Sequence, residues 1–280
     1  MEFLTSVGFL TGLATALALI LVFANKKLSV YEDPRISQVQ DMLPGANCGA
    51  CGSPGCAAFS EEVVAGRAMP SKCSVGGPET AEIIANYLGI DAGQADRKVA
   101  RLLCAGGCDV ADHIAHYEGY SSCRAAATVA GGSKACSWGC LGLADCEKAC
   151  DFDAIHMGST GLPVVDAAKC TACGDCVDIC PKGLFELYSE NQHLFVQCKS
   201  QLAGDAATDL CRVACTGCGI CVSDAPAGLI DIKNNVAIVN KHDFSQQTEI
   251  ATLRCPTGAI QWLDKQQFPK EQRVATALNV

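Results

Sequence analysis

The arrangement of the cysteines limits this chain more than any other feature of its sequence. Cys170, Cys173, Cys176 and Cys180 stand directly before Pro181 in the pattern C-x2-C-x2-C-x3-C-P. In such a run three thiolates hold one [4Fe–4S] cluster, and the fourth binds a neighbouring cluster. The pattern therefore predicts at least two clusters that share one stretch of chain.

The chain has 21 cysteines among 280 residues, and a secreted disulfide scaffold is the first alternative. The ligand-like spacings, the odd count and an N-terminal segment that resembles an anchor argue against disulfides. Four-cysteine zinc sites also use C-x2-C pairs, so zinc stays open for the first cysteine group. Zinc offers no reason for the C-x2-C-x2-C-x3-C-P run with its shared fourth ligand.

The N-terminal segment predicts a single transmembrane helix. Phe3 to Ala24 contains no charged residue, and Lys26 and Lys27 follow it. Twenty-two residues at 1.5 Å rise span about 33 Å, enough to cross a bilayer. The positive-inside rule places the remaining chain on the cytoplasmic side of the inner (cytoplasmic) membrane. A formal net charge of −9 gives no support to nucleic-acid binding.

The predicted fold class is α+β, with one N-terminal transmembrane helix, a small Fe–S module and tandem ferredoxin-like domains. The expected division has four parts: an anchor (1–27), a single-cluster module (28–92), a duplicated multi-cluster domain (93–264) and a polar tail (265–280). A polar connector, Leu28 to Gln40, is expected to follow the anchor.

A short helix is expected over Val110 to Tyr117. His113 and His116 would lie on one of its faces as ordinary surface residues. No G-x-G-x-x-G opens a helix after a strand and no P-loop occurs, so no flavin or nicotinamide is expected on this chain.

An internal repeat guides the assignment of cluster ligands. Cys123-x12-Cys136-x3-Cys140 recurs as Cys198-x12-Cys211-x3-Cys215. The exchanged fourth ligand of two-cluster ferredoxins then predicts which thiols share a site. Four groups are expected: Cys48, Cys51, Cys56 and Cys73; Cys150, Cys170, Cys173 and Cys176; Cys136, Cys140, Cys146 and Cys180; Cys215, Cys218, Cys221 and Cys255.

Five cysteines remain, which is enough for a fifth cluster and one spare thiol. The predicted set is Cys104, Cys123, Cys198 and Cys211. Cys108 is then the free thiol, although exchange of Cys108 for Cys104 stays open. The expected total is about five [4Fe–4S] clusters, with no catalytic acid, base or nucleophile in the chain.

The order of these features resembles a known family. The N-terminal helix, the Leu43 to Cys56 segment (LPGANCGACG-x3-C) and Cys140 to Cys146 (CLGLADC) are similar to the B subunit of the Rnf electron-transport complex. The resemblance implies that such a chain accepts electrons from soluble ferredoxin and relays them to membrane and flavin-bearing subunits. It also implies coupling to NAD⁺ reduction and to Na⁺ or H⁺ transport. Ala225 and the reduced block before Cys255 depart from the fullest family pattern.

Three other interpretations remain. The chain could be the iron–sulfur subunit of another membrane oxidoreductase, of hydrogenase or molybdoenzyme type. It could be a membrane-tethered zinc protein, which would be colourless. It could also be a cluster-carrying sensor, although sensing needs only one cluster.

Overall fold

The computed structural model describes residues 2–28, 33–94, 96–240, 246–264 and 267–268, with side chains from Ser6 onward. Helix α1 runs from Glu2 to Leu28. Within the described part of the chain, its segment Ser6–Leu28 is the one helix long and apolar enough to cross a membrane, with a mean hydropathy of 2.4. None of that segment is buried against the rest of the chain, so its apolar side chains are available to lipid.

A small helical module follows α1. Its elements are α2 (Pro34–Met42), α3 (Cys56–Val64), a 3₁₀ turn (Pro70–Lys72) and α4 (Gly77–Leu88). The carboxylate of Asp33 caps α2 by accepting a hydrogen bond from the Arg35 backbone amide at 2.9 Å. The segment predicted as a polar connector is therefore partly helical, because Val39 on α2 is fully buried with Phe59 and Ile84.

Among the described residues, eight short strands form four two-stranded antiparallel sheets. The strands are β1 (Lys98–Leu102), β2 (Ile155–Met157), β3 (Pro163–Val165), β4 (Phe185–Ser189), β5 (Leu194–Val196), β6 (Ile230–Lys233), β7 (Val236–Val239) and β8 (Ile260–Trp262). In the first unit β1 pairs with β4, and the hairpin β2–β3 lies between them in sequence. In the second unit β5 pairs with β8, and β6–β7 forms the equivalent hairpin. The two units thus have one topology.

Each unit has its own apolar core, and a third cluster joins them. The first core contains Val99, Leu102, Ile155, Val165 and Phe185; the second contains Leu194, Leu229, Ile230, Val236 and Ile260. Between the units, Tyr188 packs edge-on against Phe195 with their ring centroids 5.1 Å apart, and Leu103 and Leu263 complete the contact. This packing fixes the two cysteine-rich units side by side.

Among the described residues, six short helices follow the helical module. They are α5 (Cys123–Thr128), α6 (Asp145–Lys148), α7 (Asp175–Ile179), α8 (Asp205–Thr208), α9 (Ile220–Asp224) and α10 (Ile250–Leu253). Four of them, α5, α6, α7 and α9, carry one cysteine each. Left-handed residues precede three of these helices: Ala144, Gly174 and Gly219. Such a residue turns the chain sharply, so the cysteine loop and the helix that follows enclose a common space.

The structure corrects two further expectations. Val110 to Tyr117 is not helical, because Ala111 forms an antiparallel bridge with Cys211 and His113 forms one with Lys134. In the predicted polar tail, the side chain of Gln267 is buried and hydrogen-bonds both the N–H and the C=O of Leu102. The remainder of the tail, residues 265–266 and 269–280, lies outside the described residues.

Candidate iron–sulfur sites

The helical module encloses one group of four thiols. A small cavity is lined by Cys48, Cys51, Cys56 and Cys73. The side-chain oxygen of Asn47 accepts a hydrogen bond from the Cys56 amide at 2.9 Å and fixes the first loop to the start of α3. Burial, and then the neighbouring thiolates of the group, raise the pKa of Cys73. The four thiols named from their spacing therefore lie around one space.

A second group lies in the first strand unit. Its small cavity is lined by Cys150, Cys170, Cys173 and Cys176. The Sγ of Cys170 accepts a hydrogen bond from the Ala100 amide at 3.5 Å, and the Sγ of Cys150 accepts one from the Ala154 amide at 3.4 Å. Burial raises the pKa of Cys176 to about 12, and the three other thiolates of the group add to the shift. The thiol contributed by the preceding block, Cys150, does lie with the Cys170 run.

The third group differs from the predicted one. The thiols that interact electrostatically here are Cys123, Cys140, Cys146 and Cys180. Cys136, which the spacing assigned to this group, lies elsewhere. Burial is the main cause that raises the pKa of Cys140 to about 12 and also raises the pKa of Cys146.

Asp145 explains why Cys123 joins this group. Its carboxylate accepts hydrogen bonds from the Ser122 hydroxyl at 2.8 Å and from the Arg124 amide at 3.1 Å. The backbone amide of Asp145 also donates to the Cys123 thiolate. Asp145 begins α6, the helix that carries Cys146, so it holds the Cys123 loop against that helix.

Cys136 belongs instead to a group that spans both strand units. A small cavity is lined by Cys104, Cys136, Cys198 and Cys211. The Ala135 amide donates to the Asp112 carbonyl at 2.8 Å, while Ala111 bridges to Cys211. These pairings place Cys136 beside Cys211, so Cys123 and Cys136 have exchanged places relative to the sequence assignment.

The second unit encloses its own group. A small cavity is lined by Cys215, Cys218, Cys221 and Cys255. Burial and the other three thiolates raise the pKa of Cys221 to about 11. Burial acts in the same direction on Cys255, but hydrogen bonds from Ile260, Thr257 and Ala259 outweigh it and lower the pKa of that thiol. The distant Cys255 thus completes the set that its proline-containing block predicted.

Cys108 lies apart from these groups. It is exposed, and its Sγ is 3.9 Å from the Ser159 carbonyl oxygen. Cys104 is buried and interacts electrostatically with Cys136, Cys198 and Cys211. Of the two alternatives for the fifth group, the structure brings Cys104 to the cavity.

Backbone amides connect the groups. The Cys140 amide donates to the Cys104 Sγ at 3.5 Å, although the Cys140 thiol belongs to a different group. In the second unit the Cys215 amide donates to the Cys198 thiolate, although the Cys215 thiol again belongs to another group. Cys140 and Cys215 hold equivalent positions in the repeat, so the group between the units is joined to each unit in the same way.

The residues at these cavities fit iron–sulfur clusters. Among the described residues, no three His, Cys, Asp or Glu side chains have the closeness of a single-ion site; in four of the five groups the thiols instead line a common cavity. Two buried donors on the cavity walls lack acceptors: the Thr171 hydroxyl and the Gln197 Nε2. Cluster sulfides are hydrogen-bond acceptors that such donors and the backbone amides would meet.

Four residues that shape these sites stand out only in the folded chain: Asp145, Lys134, Gln197 and Gly106. A Cβ atom on Gly106 would lie 3.0 Å from the Cys211 Sγ, so only glycine fits there without a shift. Each of the four stands within two residues of a ligand cysteine in sequence. Proximity to a cysteine is the signal that could have drawn attention to them.

Two protein-family models match the chain. A model described as a putative Fe–S cluster matches residues 43–75, which contain the first thiol group. A model described as a 4Fe–4S binding domain matches residues 162–185, which contain the Cys170 run. Both matches indicate iron–sulfur binding at cavities seen in the structure.

Three relatives cover most of the chain. The B subunit of the Na(+)-translocating ferredoxin:NAD(+) oxidoreductase complex of Acetobacterium woodii is 44% identical, over 92% of this chain and 77% of that protein. The proton-translocating counterpart of Clostridium ljungdahlii is 37% identical over 98% and 96%. The B subunit of the ion-translocating oxidoreductase complex of Methanosarcina acetivorans is 35% identical over 75% and 80%. The chain therefore belongs to the family of B subunits of the Rnf, or ion-translocating ferredoxin:NAD⁺ oxidoreductase, complexes.

Proposed function

We propose that this chain is the electron-relay subunit of a membrane-bound oxidoreductase complex. It accepts electrons from reduced ferredoxin and passes them to membrane partners, ultimately for NAD⁺ reduction coupled to Na⁺ or H⁺ transport. The observation that carries the proposal is the series of four-thiol groups connected by the Cys140 and Cys215 amides. Family membership supports the ferredoxin, the NAD⁺ and the ion-translocating partners.

Each thiol group would hold one [4Fe–4S] cluster, which gives five in all. The groups hold Cys48, Cys51, Cys56 and Cys73; Cys150, Cys170, Cys173 and Cys176; Cys123, Cys140, Cys146 and Cys180; Cys104, Cys136, Cys198 and Cys211; Cys215, Cys218, Cys221 and Cys255. When bound, the clusters supply one-electron redox chemistry. The chain's own part is to hold the thiolates, donate N–H groups to sulfur and exclude water.

The contacts between groups support an order for the relay. Cys146 and Cys176 interact across the first unit, which joins its two groups. The Cys104 group then stands between the Cys140 and Cys215 groups. The electron path through residues 93–264 would therefore run along the repeat, with the group between the units as the required bridge.

The nested sheets support a tandem ferredoxin-like domain over 93–264, beside a single-cluster module (28–92), an anchor (1–27) and a tail (265–280). Helix α1 would span the cytoplasmic membrane once, with Lys26 and Lys27 at its cytoplasmic end. The Fe–S units would then face soluble ferredoxin in the cytoplasm, and flavin would be bound by partner subunits.

Iron and acid-labile sulfide in the purified chain test the count. Five clusters correspond to about 20 atoms of each. We expect Cys211→Ala to lose about four iron atoms and its membranes to lose ferredoxin-dependent NAD⁺ reduction. Cys108→Ala is the matched control, because its thiol is exposed and lies apart from the groups. Full iron content in Cys211→Ala would contradict the bridging cluster, and a zinc content with no visible colour would contradict the relay itself.

A further inference from the structure

A buried lysine lies on the wall of the cavity between the two strand units. Lys134 is only 7% exposed and lines the cavity formed by Cys104, Cys136, Cys198 and Cys211. Its ammonium group donates to the Gly106 carbonyl oxygen. Within the part of the chain that the structure describes, no Asp or Glu carboxylate pairs with it. A buried cation is unfavourable unless an anion lies nearby, so the position calls for negative charge in the cavity.

The thiol groups are the negative partners that the geometry offers. Lys134 lies close enough to favour the ionised forms of Cys136, Cys140 and Cys211, although burial raises the pKa of each. Two of these thiols belong to the group between the units, and the third belongs to the adjoining group. The ammonium charge is therefore at the junction of two sites.

A neutral donor accompanies the lysine. Gln197 is 2% exposed and lines the same cavity, and its Nε2 has no acceptor among the described residues. Its backbone is fixed by hydrogen bonds to Ala259 and Ala105, one in each strand unit. The amide donor is thus held at the cavity wall by the framework that joins the units.

We propose that Lys134 and Gln197 raise the reduction potential of the cluster held by Cys104, Cys136, Cys198 and Cys211. The inference rests on the proposed bridging cluster. One electron received from a neighbouring reduced cluster takes the core from 2+ to 1+ and returns that neighbour to 2+. The added negative charge is stabilised by a nearby cation and by a hydrogen-bond donor, so both residues favour the reduced state.

The position gives this effect a role in the relay. An electron that moves between the two units would pass the proposed bridging site, which is joined to each unit by one cysteine amide. A bridge with a potential far below its neighbours would slow the transfer in both directions. Lys134 and Gln197 would keep the reduction potential of the bridging cluster from falling too low, despite the negative charge of its four thiolates.

An EPR-monitored redox titration of the purified, cluster-loaded protein at one pH tests the proposal. The signal lost in Cys211→Ala identifies the bridging cluster. At the wild-type midpoint of that signal, we expect Lys134→Met to lower the reduced-to-oxidised ratio about tenfold, which corresponds to 59 mV for one electron. Lys134→Arg should restore most of the ratio, and Gln197→Leu should lower it in the same direction. Lys233→Met removes one exposed lysine and is the control for a general charge effect.

The outcomes separate the two proposals. If Cys211→Ala removes no signal, the bridging cluster is absent and the inference fails with it. If the signal exists but keeps its midpoint in iron-replete Lys134→Met, or moves equally in Lys233→Met, only the role of Lys134 is refuted. If Lys134→Met does not retain the cluster, Gln197→Leu decides: a lowered midpoint supports the proposal and an unchanged one overturns it.

Discussion

The amide nitrogen of Cys140 lies 3.5 Å from the Sγ atom of Cys104, yet the two thiols serve different groups. The equivalent amide in the second unit, that of Cys215, makes the same contact with Cys198. On each side of the Cys104 group, one backbone amide therefore links a cysteine of one thiol group to the sulfur of a cysteine in the next group. Donors of this kind hold ligand sulfurs in place and adjust cluster potentials.

The exchange of two cysteines gives the first prediction. Cys123→Ala should remove the same EPR signal as Cys146→Ala, because both thiols face one site. Cys136→Ala should instead remove the signal that Cys211→Ala removes. EPR spectra of the four reduced variants check this pairing. Loss of one common signal in Cys136→Ala and Cys146→Ala would contradict the structural grouping.

Asp145 should matter for stability as well as for cluster binding. Asp145→Ala leaves the Ser122 hydroxyl and the Arg124 amide without their acceptor. We expect a loss of about 1–3 kcal/mol in the free energy of unfolding, together with weakening of the signal that depends on Cys123. Chemical denaturation of the loaded protein measures the loss. Asp151→Ala, at an exposed carboxylate nearby, should change neither quantity; an equal effect there would remove the special role of Asp145.

A side chain at Gly106 should crowd the bridging thiols. In Gly106→Ala the new Cβ would meet the Cys211 Sγ at 3.0 Å and the Cys104 Sγ at 3.7 Å. The crowding should cost about 1–3 kcal/mol and reduce the iron bound at the bridging site. Iron content and the thermal transition midpoint test this. Gly12→Ala is the control, because nothing lies within 4 Å of the added atom in α1.

Cluster assembly should depend on pH differently at two sites. Burial raises the pKa of three thiols in one group, Cys123, Cys140 and Cys146. In the Cys255 group burial raises the pKa of Cys221 alone among the thiols with a resolved shift, whereas hydrogen bonds outweigh burial and lower the pKa of Cys255. A thiol must lose its proton to bind iron. Thiols with a raised pKa remain protonated in the empty site well above pH 8, so iron binding there continues to gain as the pH rises.

Reconstitution at pH 8 and pH 10, with one chelator competing for iron, provides the measurement. We expect the yield of the Cys146-dependent signal, divided by that of the Cys255-dependent signal, to increase with pH. The ratio cancels the pH dependence of the chelator. A ratio that stays constant or falls would show that the thiol pKa values do not control loading.

Removal of α1 should release the chain from membranes without unfolding it. None of the Ser6–Leu28 segment is buried against the remaining structure, so a chain lacking residues 1–27 loses no core contact. We expect the truncated chain in the soluble fraction with its iron content unchanged. Retention of the truncated chain on washed membranes, in cells without the partner subunits, would contradict anchoring by α1.

Much of the site could be predicted from the sequence because ligand spacing follows from cluster geometry. The spacing around Cys48 placed the four thiols of that group together, the ligand exchange of two-cluster ferredoxins placed Cys150 with the Cys170 run, and the fourth block placed Cys255 with Cys215. The thiol groups to which Cys123 and Cys136 belong could not be predicted from spacing, because spacing does not reveal which loop crosses between the units. That choice depends on the Asp145 hydrogen bonds and on the bridge between Ala111 and Cys211, which only the folded chain shows.

The bridging site also has a consequence for biosynthesis. Its thiols come from Cys104 and Cys136 on one side and from Cys198 and Cys211 on the other. Domains emerge from the ribosome in order and fold largely as units, so the first unit and the Cys48 module can receive their iron while Cys211 is still unsynthesised. A cluster at the proposed bridging site would therefore assemble only after both units have docked, and a chain that ends before Cys211 would lack the ligand set that connects the two units.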